Sequence, residues 1–338
     1  MNFETLCQTA RDLVAPGKGI LAADESSGTI QKRFDSISVP STADNRRDYR
    51  ELLFTTPGVE EAISGVILYD ETLRQESSSG KRLAEVLADR NIIPGIKVDA
   101  GAKPLAGCPG ESVTEGLDGL ADRLAEYVNL GARFAKWRAV IDISDTLPSA
   151  NCIDVNAHAL ARYAALCQEY GLVPIVEPEV LMDGGHGIDR CEEVTTDVLH
   201  ATYHHLHLQG VKLEGTLLKP NMVLPGKLSG ATATPEEVAE ASLRAYYRAV
   251  PAAVPGIVFL SGGQSPEEAT LNLNAMNALG SHPWELSFSY GRALQQPVLQ
   301  AWLGEADNSL MAQEAFHTVA MANHQARYGT YEPAMAVA

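Results

Sequence analysis

Short apolar runs alternate with longer amphipathic stretches along the chain. The apolar runs are Gly19–Asp24, Gly65–Asp70, Ile92–Asp99, Arg133–Ile141, Leu172–Val180, Leu213–Val223, Gly256–Gly263 and Glu285–Arg292. Each is continuously apolar rather than alternating, which suits strands buried on both faces of a parallel sheet. Between them, Thr114–Leu130, Asn151–Tyr170 and Asp189–Gln209 have helical spacing and stop at Gly131, Gly171 and Gly210. A glycine there suits the left-handed residue after a helix. Two helix starts are explicit: Thr234-Pro235-Glu236-Glu237 and Ser265-Pro266-Glu267-Glu268. Each offers a capping hydroxyl, a proline at the first helical position and a glutamate three residues after the cap.

Eight such strands alternating with helices predict an α/β fold, a single (β/α)8 TIM barrel over residues 1–338. Extra helices are expected at the N- and C-terminal sides, with Ala43–Phe54 and Asp307–Arg327 outside the regular repeat. Residues 328–338 read as a short C-terminal tail. A doubly wound sheet is the alternative, but no G-x-G-x-x-G follows the first strand.

Charge narrows the partners. The 338 residues carry 26 Lys and Arg against 43 Asp and Glu, a formal net charge of -17. Binders of nucleic acid are usually basic, so nucleic acid and anionic membranes are poor partners. A small anionic substrate stays compatible, because a local cationic pocket can form on an acidic protein. The start of the chain lacks the basic and apolar regions of a signal peptide. No apolar run reaches the ~18 residues of a spanning helix. The five cysteines are odd in number and form no CxxC, which reads as reduced thiols. The expectation is a soluble cytoplasmic protein.

Candidate chemistry comes from the strand ends, where barrels of this kind place it. Asp24, Lys97, Asp99, Lys136, Arg138, Glu177, Glu179 and Lys219 lie late in predicted strands. Charges inside buried strands are costly unless paired or functional. A single one could belong to a structural ion pair; the same pattern at most strand ends predicts a site. Residues two apart share a strand face, so Lys136 with Arg138, and Glu177 with Glu179, should point together into the barrel. Lys219 sits in Leu217-Leu218-Lys219-Pro220. A lysine amine attacks a carbonyl only when neutral, and burial beside another cation favours that form; Lys136 is the expected neighbour. Glu177 and Glu179 are candidates for the acid that expels water, and Asp24 or Glu177 for a base. Taken alone, Lys219 would read as a lysine snorkelling from a strand end. The glycine-rich Ser261-Gly262-Gly263 and Ser289-Tyr290-Gly291-Arg292 follow the last two strands, where barrels often hold phosphate. They offer hydroxyls, close backbone N–H groups and a bidentate cation.

Histidines raise a metal-dependent rival. His200 and His204 have the i, i+4 spacing that can bind zinc, and His205 and His207 lie beside them. The cluster falls within a predicted helix, away from the strand ends, with no acidic residue at the usual offsets. A solvated helix face is the better reading, and no metal or other cofactor is expected.

The segments GILAADES (19–26), GIKVD (95–99), FAKWR (134–138), IVEPE (175–179), LEGTLLKPNMV (213–223), FLSGGQS (259–265) and FSYGRALQ (288–295) resemble class I fructose-1,6-bisphosphate aldolase. The resemblance runs from about Gly19 to about Tyr331. It implies a metal-free barrel enzyme that reversibly splits fructose 1,6-bisphosphate into dihydroxyacetone phosphate and glyceraldehyde 3-phosphate, in glycolysis and gluconeogenesis, through a lysine Schiff base. By the same resemblance Lys219 forms the Schiff base and Glu177 handles carbinolamine protons. Glu179, Lys136 and Asp24 complete the catalytic set, Asp24 near the cleaved bond. Ser261, Gly262, Gly263, Gly291 and Arg292 hold the phosphate next to the ketone, with Ser289 also touching substrate. Ser26, Thr29, Arg33, Arg46, Lys97 and Arg138 contact the rest of the sugar bisphosphate. A homotetramer is implied.

One departure concerns the tail. Eukaryotic members end in a tyrosine that assists proton exchange at the Schiff-base carbon. Tyr331 matches an earlier tyrosine of the family, so either another group moves this proton or the step is slow. Two other readings compete: a different phosphosugar lyase or isomerase on a barrel, and a non-catalytic barrel scaffold.

Overall fold

Strand pairing closes on itself in the computed structural model, which describes residues 3–333. The strands are β1 (Gly19–Ala23), β2 (Ile63–Leu68), β3 (Ile93–Lys97), β4 (Ala102–Pro104), β5 (Ser112–Thr114), β6 (Phe134–Ile141), β7 (Val173–Val180), β8 (Leu217–Leu218), β9 (Gly256–Phe259) and β10 (Glu285–Tyr290). The barrel order is β1-β10-β9-β8-β7-β6-β3-β2, parallel throughout. This is the expected (β/α)8 barrel. β4 and β5 form a small antiparallel hairpin outside it.

The differences from the expected elements have local causes. The predicted helix Thr114–Leu130 begins only at Leu120, because β5 pairs residues 112–114 with β4. The predicted strand Leu213–Val223 shrinks to Leu217–Leu218, preceded by the 3-10 turn Leu213–Gly215. The Lys219 N–H still donates to Val176 O at 2.8 Å. Pro220 has no N–H to donate, though its carbonyl still accepts from Leu260 N at 3.1 Å. Arg292 opens the helix Arg292–Trp302 rather than ending a strand. Both predicted capping boxes form, at Thr234–Glu237 and Ser265–Glu268.

Helices cover the outer face, where Trp137 of β6 stacks on Tyr163 with ring centroids 5.6 Å apart. The interior is layered along the barrel axis. Ile20, Ile67, Phe134, Val173, Ile175, Leu217 and Val258 point inward at the N-terminal end. The N-terminal helix Phe3–Leu13 closes that end with Leu6, Ala10 and Leu13. Two residues further along three of these strands, the inward positions turn polar: Phe134 gives way to Lys136, Ile175 to Glu177, Leu217 to Lys219. One end is therefore a packed plug and the other an ionic cup.

Gly95 shows how tightly the plug is filled. A Cβ there would lie 2.3 Å from the Phe134 ring. Gly95→Ala is expected to cost about 1–3 kcal/mol through overpacking, read as a lower urea midpoint at unchanged slope. Unchanged stability would show that the ring can move aside.

Candidate active site

The strand ends open into one cavity of about 520 Å³ at the C-terminal mouth of the barrel. Of the site residues singled out in the sequence, all but Arg46 line it. Arg46 instead holds Glu71 in a bidentate pair, with Nη2 2.5 Å from Oε1 and Nε 2.8 Å from Oε2, and donates to Ser41 O.

Four buried charges sit at the floor. Lys136 Nζ is 2.8 Å from Asp24 Oδ2 and 3.1 Å from Glu177 Oε2. Lys219 Nζ is 3.2 Å from Glu177 Oε1. Glu177 thus bridges the two lysines, one oxygen to each. The Glu177 Oε2 contact is an ion pair without hydrogen-bond geometry. The register explains the meeting: Arg138 pairs with Glu177 across β6 and β7, and Leu217 with Ile175 across β7 and β8. Alternation then turns Lys136, Glu177 and Lys219 into the same space.

Burial alone would push the Asp24 carboxyl up, but Lys136 and then Lys219 hold it well below the usual carboxylate range. Glu177 follows the same logic: burial raises it, and Lys136, Lys219 and Arg138 bring it below normal. Burial would lower Lys136, yet Asp24, Glu177 and Asp99 raise it above the ordinary lysine range. Before a ligand binds, Lys136 thereby rests as a cation, and Asp24 and Glu177 rest as anions, at neutral pH.

A second layer surrounds the floor. Arg138 Nε bonds Glu179 Oε2. Lys97 Nζ lies 3.0 Å from Asp99 Oδ1. Arg33 Nη2 lies 3.2 Å from Glu25 Oε1, and Glu25 is held by Gln295 Nε2 at 2.7 Å and by Arg50, which donates to the Glu25 carbonyl at 3.0 Å. Glu25, Asp183 and Lys227 line the cavity without having been singled out. Glu25 had a usable signal, since it directly follows Asp24 in the turn after β1. Asp183 and Lys227 sit in loops, and nothing local distinguishes them from solvated charges.

The wall between β9 and β10 is built for an anion. Ser261, Gly262 and Gly263 precede the helix Pro266–Ala278, and Gly291 caps the helix Arg292–Trp302. Gly263 has φ +80°, a conformation that favours glycine. Helix N-termini present free N–H groups and positive potential. Ser289 Oγ is buried with no hydrogen-bond partner among the described residues, leaving a polar atom for a ligand.

The histidine cluster lies elsewhere, on the helix Ile188–Leu208. His205 Nε2 is 2.9 Å from Asp154 Oδ1 on the neighbouring helix Ala150–Glu169. That acidic partner was invisible in the sequence because it comes from another helix. Among the described residues, no helix is long and apolar enough to cross a membrane. All five cysteines are free. In the tail, the Tyr331 N–H donates to Asn274 Oδ1 at 2.8 Å; residues 334–338 lie outside the described part.

A (β/α)8 barrel with two buried lysines, a shared carboxylate and an anion cradle in one mouth defines a class: a barrel enzyme with amine and acid–base groups facing an anionic ligand. Comparison with known proteins narrows it. The family model for class I fructose-bisphosphate aldolase matches residues 5–338. A Xanthomonas campestris protein named "Probable fructose-bisphosphate aldolase class 1" is 56% identical over 333 residues, covering 98% of this chain and 100% of that protein. "Fructose-bisphosphate aldolase 4, cytosolic" from Arabidopsis thaliana is 57% identical over 328 residues, 97% of this chain and 84% of that one. A Plasmodium falciparum fructose-bisphosphate aldolase, solved in complex with TRAP and a small-molecule inhibitor, superposes with a TM-score of 0.97 at 51% identity, covering 98% of this chain and 96% of that one. The chain belongs to the class I fructose-bisphosphate aldolase family and is a lyase acting on a phosphorylated sugar.

Proposed function

We propose that the enzyme cleaves fructose 1,6-bisphosphate reversibly through a Schiff base on Lys219. The observation that carries this reading is Glu177 placed between two buried lysines, 3.2 Å from Lys219 and 3.1 Å from Lys136. A carboxylate in that position can take a proton from Lys219 and return one to the departing water, while Lys136 stays charged beside it.

The neutral Lys219 amine attacks the ketone carbon at C2. Glu177 supplies the proton with which the carbinolamine hydroxyl leaves as water. The resulting iminium draws electrons from the C3–C4 bond. Asp24, held ionised by Lys136 at 2.8 Å, accepts the C4 hydroxyl proton. The C3–C4 bond breaks, its electron pair moves into the enamine, and glyceraldehyde 3-phosphate departs. Protonation at C3 and hydrolysis of the imine release dihydroxyacetone phosphate and restore Lys219. Glu179 orients Arg138 at the rim of the floor. The 261–263 loop, Ser289, Gly291 and Arg292 hold the phosphate next to the ketone; Ser26, Thr29, Arg33, Lys97 and Arg138 meet the rest of the substrate.

Family membership supports a role in glycolysis and gluconeogenesis, a homotetramer, a metal-independent reaction and a cytoplasmic location like that named for the plant relatives. Borohydride reduction with dihydroxyacetone phosphate, followed by peptide mapping, tests the chemistry. The expected adduct lies on the peptide containing Lys219, and a chelator leaves both trapping and turnover intact. An adduct on another lysine, or none, overturns the assignment.

A further inference from the structure

We propose that Lys227 is a phosphate-binding residue of this site, reaching the phosphate held by the 261–263 loop. The inference rests on the aldolase reading for the identity of the substrate, but its geometry is independent of it.

The cations around the cavity differ in how far they are committed. Lys136, Lys97, Arg33 and Arg138 each face a carboxylate already, and Lys219 shares Glu177. Two are left with charge to spend on a ligand. Arg292 donates to the Gln264 carbonyl at 3.4 Å. Among the described residues, Lys227 pairs with Asp183 Oδ1 alone, at 3.4 Å, with both side chains open to water at 44% and 70% exposure. An exposed pair of that length holds weakly, whereas a phosphate dianion receives charge-assisted hydrogen bonds.

Placement makes Lys227 more than a surface charge. Its stem runs along the phosphate loop: a Cβ on Gly263 would stand 3.4 Å from Lys227 Cε. Its backbone is fixed by two loops zipped together. Lys227 N donates to Met182 O at 2.9 Å, Gly226 N to His186 O at 2.9 Å and Leu228 N to Gly184 O at 3.0 Å. The loop after β7 and the chain after Lys219 therefore carry Asp183 and Lys227 as a unit to the cavity mouth. Asp183 parks the ammonium when the cradle is empty. A phosphate seated at Ser261–Gly263 and Gly291 offers it a stronger partner within a rotation of the side chain. No bond is made or broken; the ammonium changes anion.

The test compares wild type with Lys227→Gln and Lys227→Arg. Calorimetry with inorganic phosphate gives Kd without any turnover, and steady-state cleavage of fructose 1,6-bisphosphate gives KM and kcat separately. In Lys227→Gln, phosphate Kd and KM are both expected to rise about tenfold, the size of one lost charge-assisted contact, with kcat changing less than KM. Lys227→Arg keeps the charge and the backbone zipper, and is expected to recover most of both. Phosphate affinity and KM within twofold of wild type in Lys227→Gln would overturn the proposal. So would equal losses in Lys227→Gln and Lys227→Arg, which would mark a structural role. If wild type forms no borohydride adduct, the aldolase chemistry fails, and the phosphate titration still decides on Lys227.

Discussion

Lys219→Met is expected to abolish turnover, with a loss of about 10⁴-fold or more, because the other lysine at the floor, Lys136, is held as a cation by Asp24 and Glu177 and has no lone pair with which to attack. Methionine keeps the unbranched stem in the apolar setting of Leu217 and Leu218, and Glu177 retains Lys136 as a counter-ion at 3.1 Å. The variant should therefore fold, bind inorganic phosphate at the cradle as wild type does, and give no borohydride adduct. Turnover within tenfold of wild type would refute the Schiff-base assignment. Loss of phosphate binding along with activity would instead indicate that the cup had collapsed.

Lys136→Met should be the most destabilising change at the site. Lys136 is the shared partner of Asp24 and Glu177, and its removal leaves these two carboxylates with Lys219 as their main remaining cation. Breaking a buried pair from one side typically costs about 3–5 kcal/mol, and activity should fall with it, since Asp24 loses the cation that keeps it ionised. The pH dependence gives a sharper signature. In wild type, Asp24 and Glu177 titrate below their ordinary range. Their contribution is present above the unfolded carboxylate range of about 4 and is lost as pH falls below it. Lys136 titrates above its ordinary range, so its contribution is complete below about pH 10 and is lost as pH rises further. Without Lys136, burial dominates and pushes the carboxyls up. The variant then binds protons on folding, and its deficit relative to wild type should shrink between pH 7 and pH 5. Urea unfolding at both pH values measures this. A deficit that stays constant or grows toward pH 5 would show that Lys219 alone neutralises the pair.

Much of the fold was legible because a parallel barrel writes a simple rule into the chain. Each strand is an apolar run, each helix an amphipathic one, and the caps at Thr234 and Ser265 announce themselves by residue type. One failure came where tertiary pairing overrode local pattern. The hairpin of β4 and β5 claimed Ser112–Thr114 from a predicted helix; the strand before Lys219 ended at Leu218 for a local reason, the proline two residues on. Site residues followed the same division. Asp24, Lys136, Glu177 and Lys219 stand out as charges in apolar runs, and Ser261–Gly263 and Gly291–Arg292 as glycine-rich ends. Arg46, read as a substrate contact from family resemblance, is paired with Glu71, and that pairing depends on helix packing that no spacing records.

By itself the sequence determined the strand and helix alternation, the inward pairing of Lys136 with Arg138 and of Glu177 with Glu179, and the kind of chemistry the strand ends carry. These follow from periods of two and of 3.6 residues, which are properties of a single segment. Only the tertiary structure decided that Glu177 stands between Lys136 and Lys219 and that Asp24 meets Lys136 at the floor. It alone brought Asp183 and Lys227 to the cavity on zipped loops. Those facts depend on strand register and on loops meeting across the barrel, and distance between segments is not encoded in either segment alone.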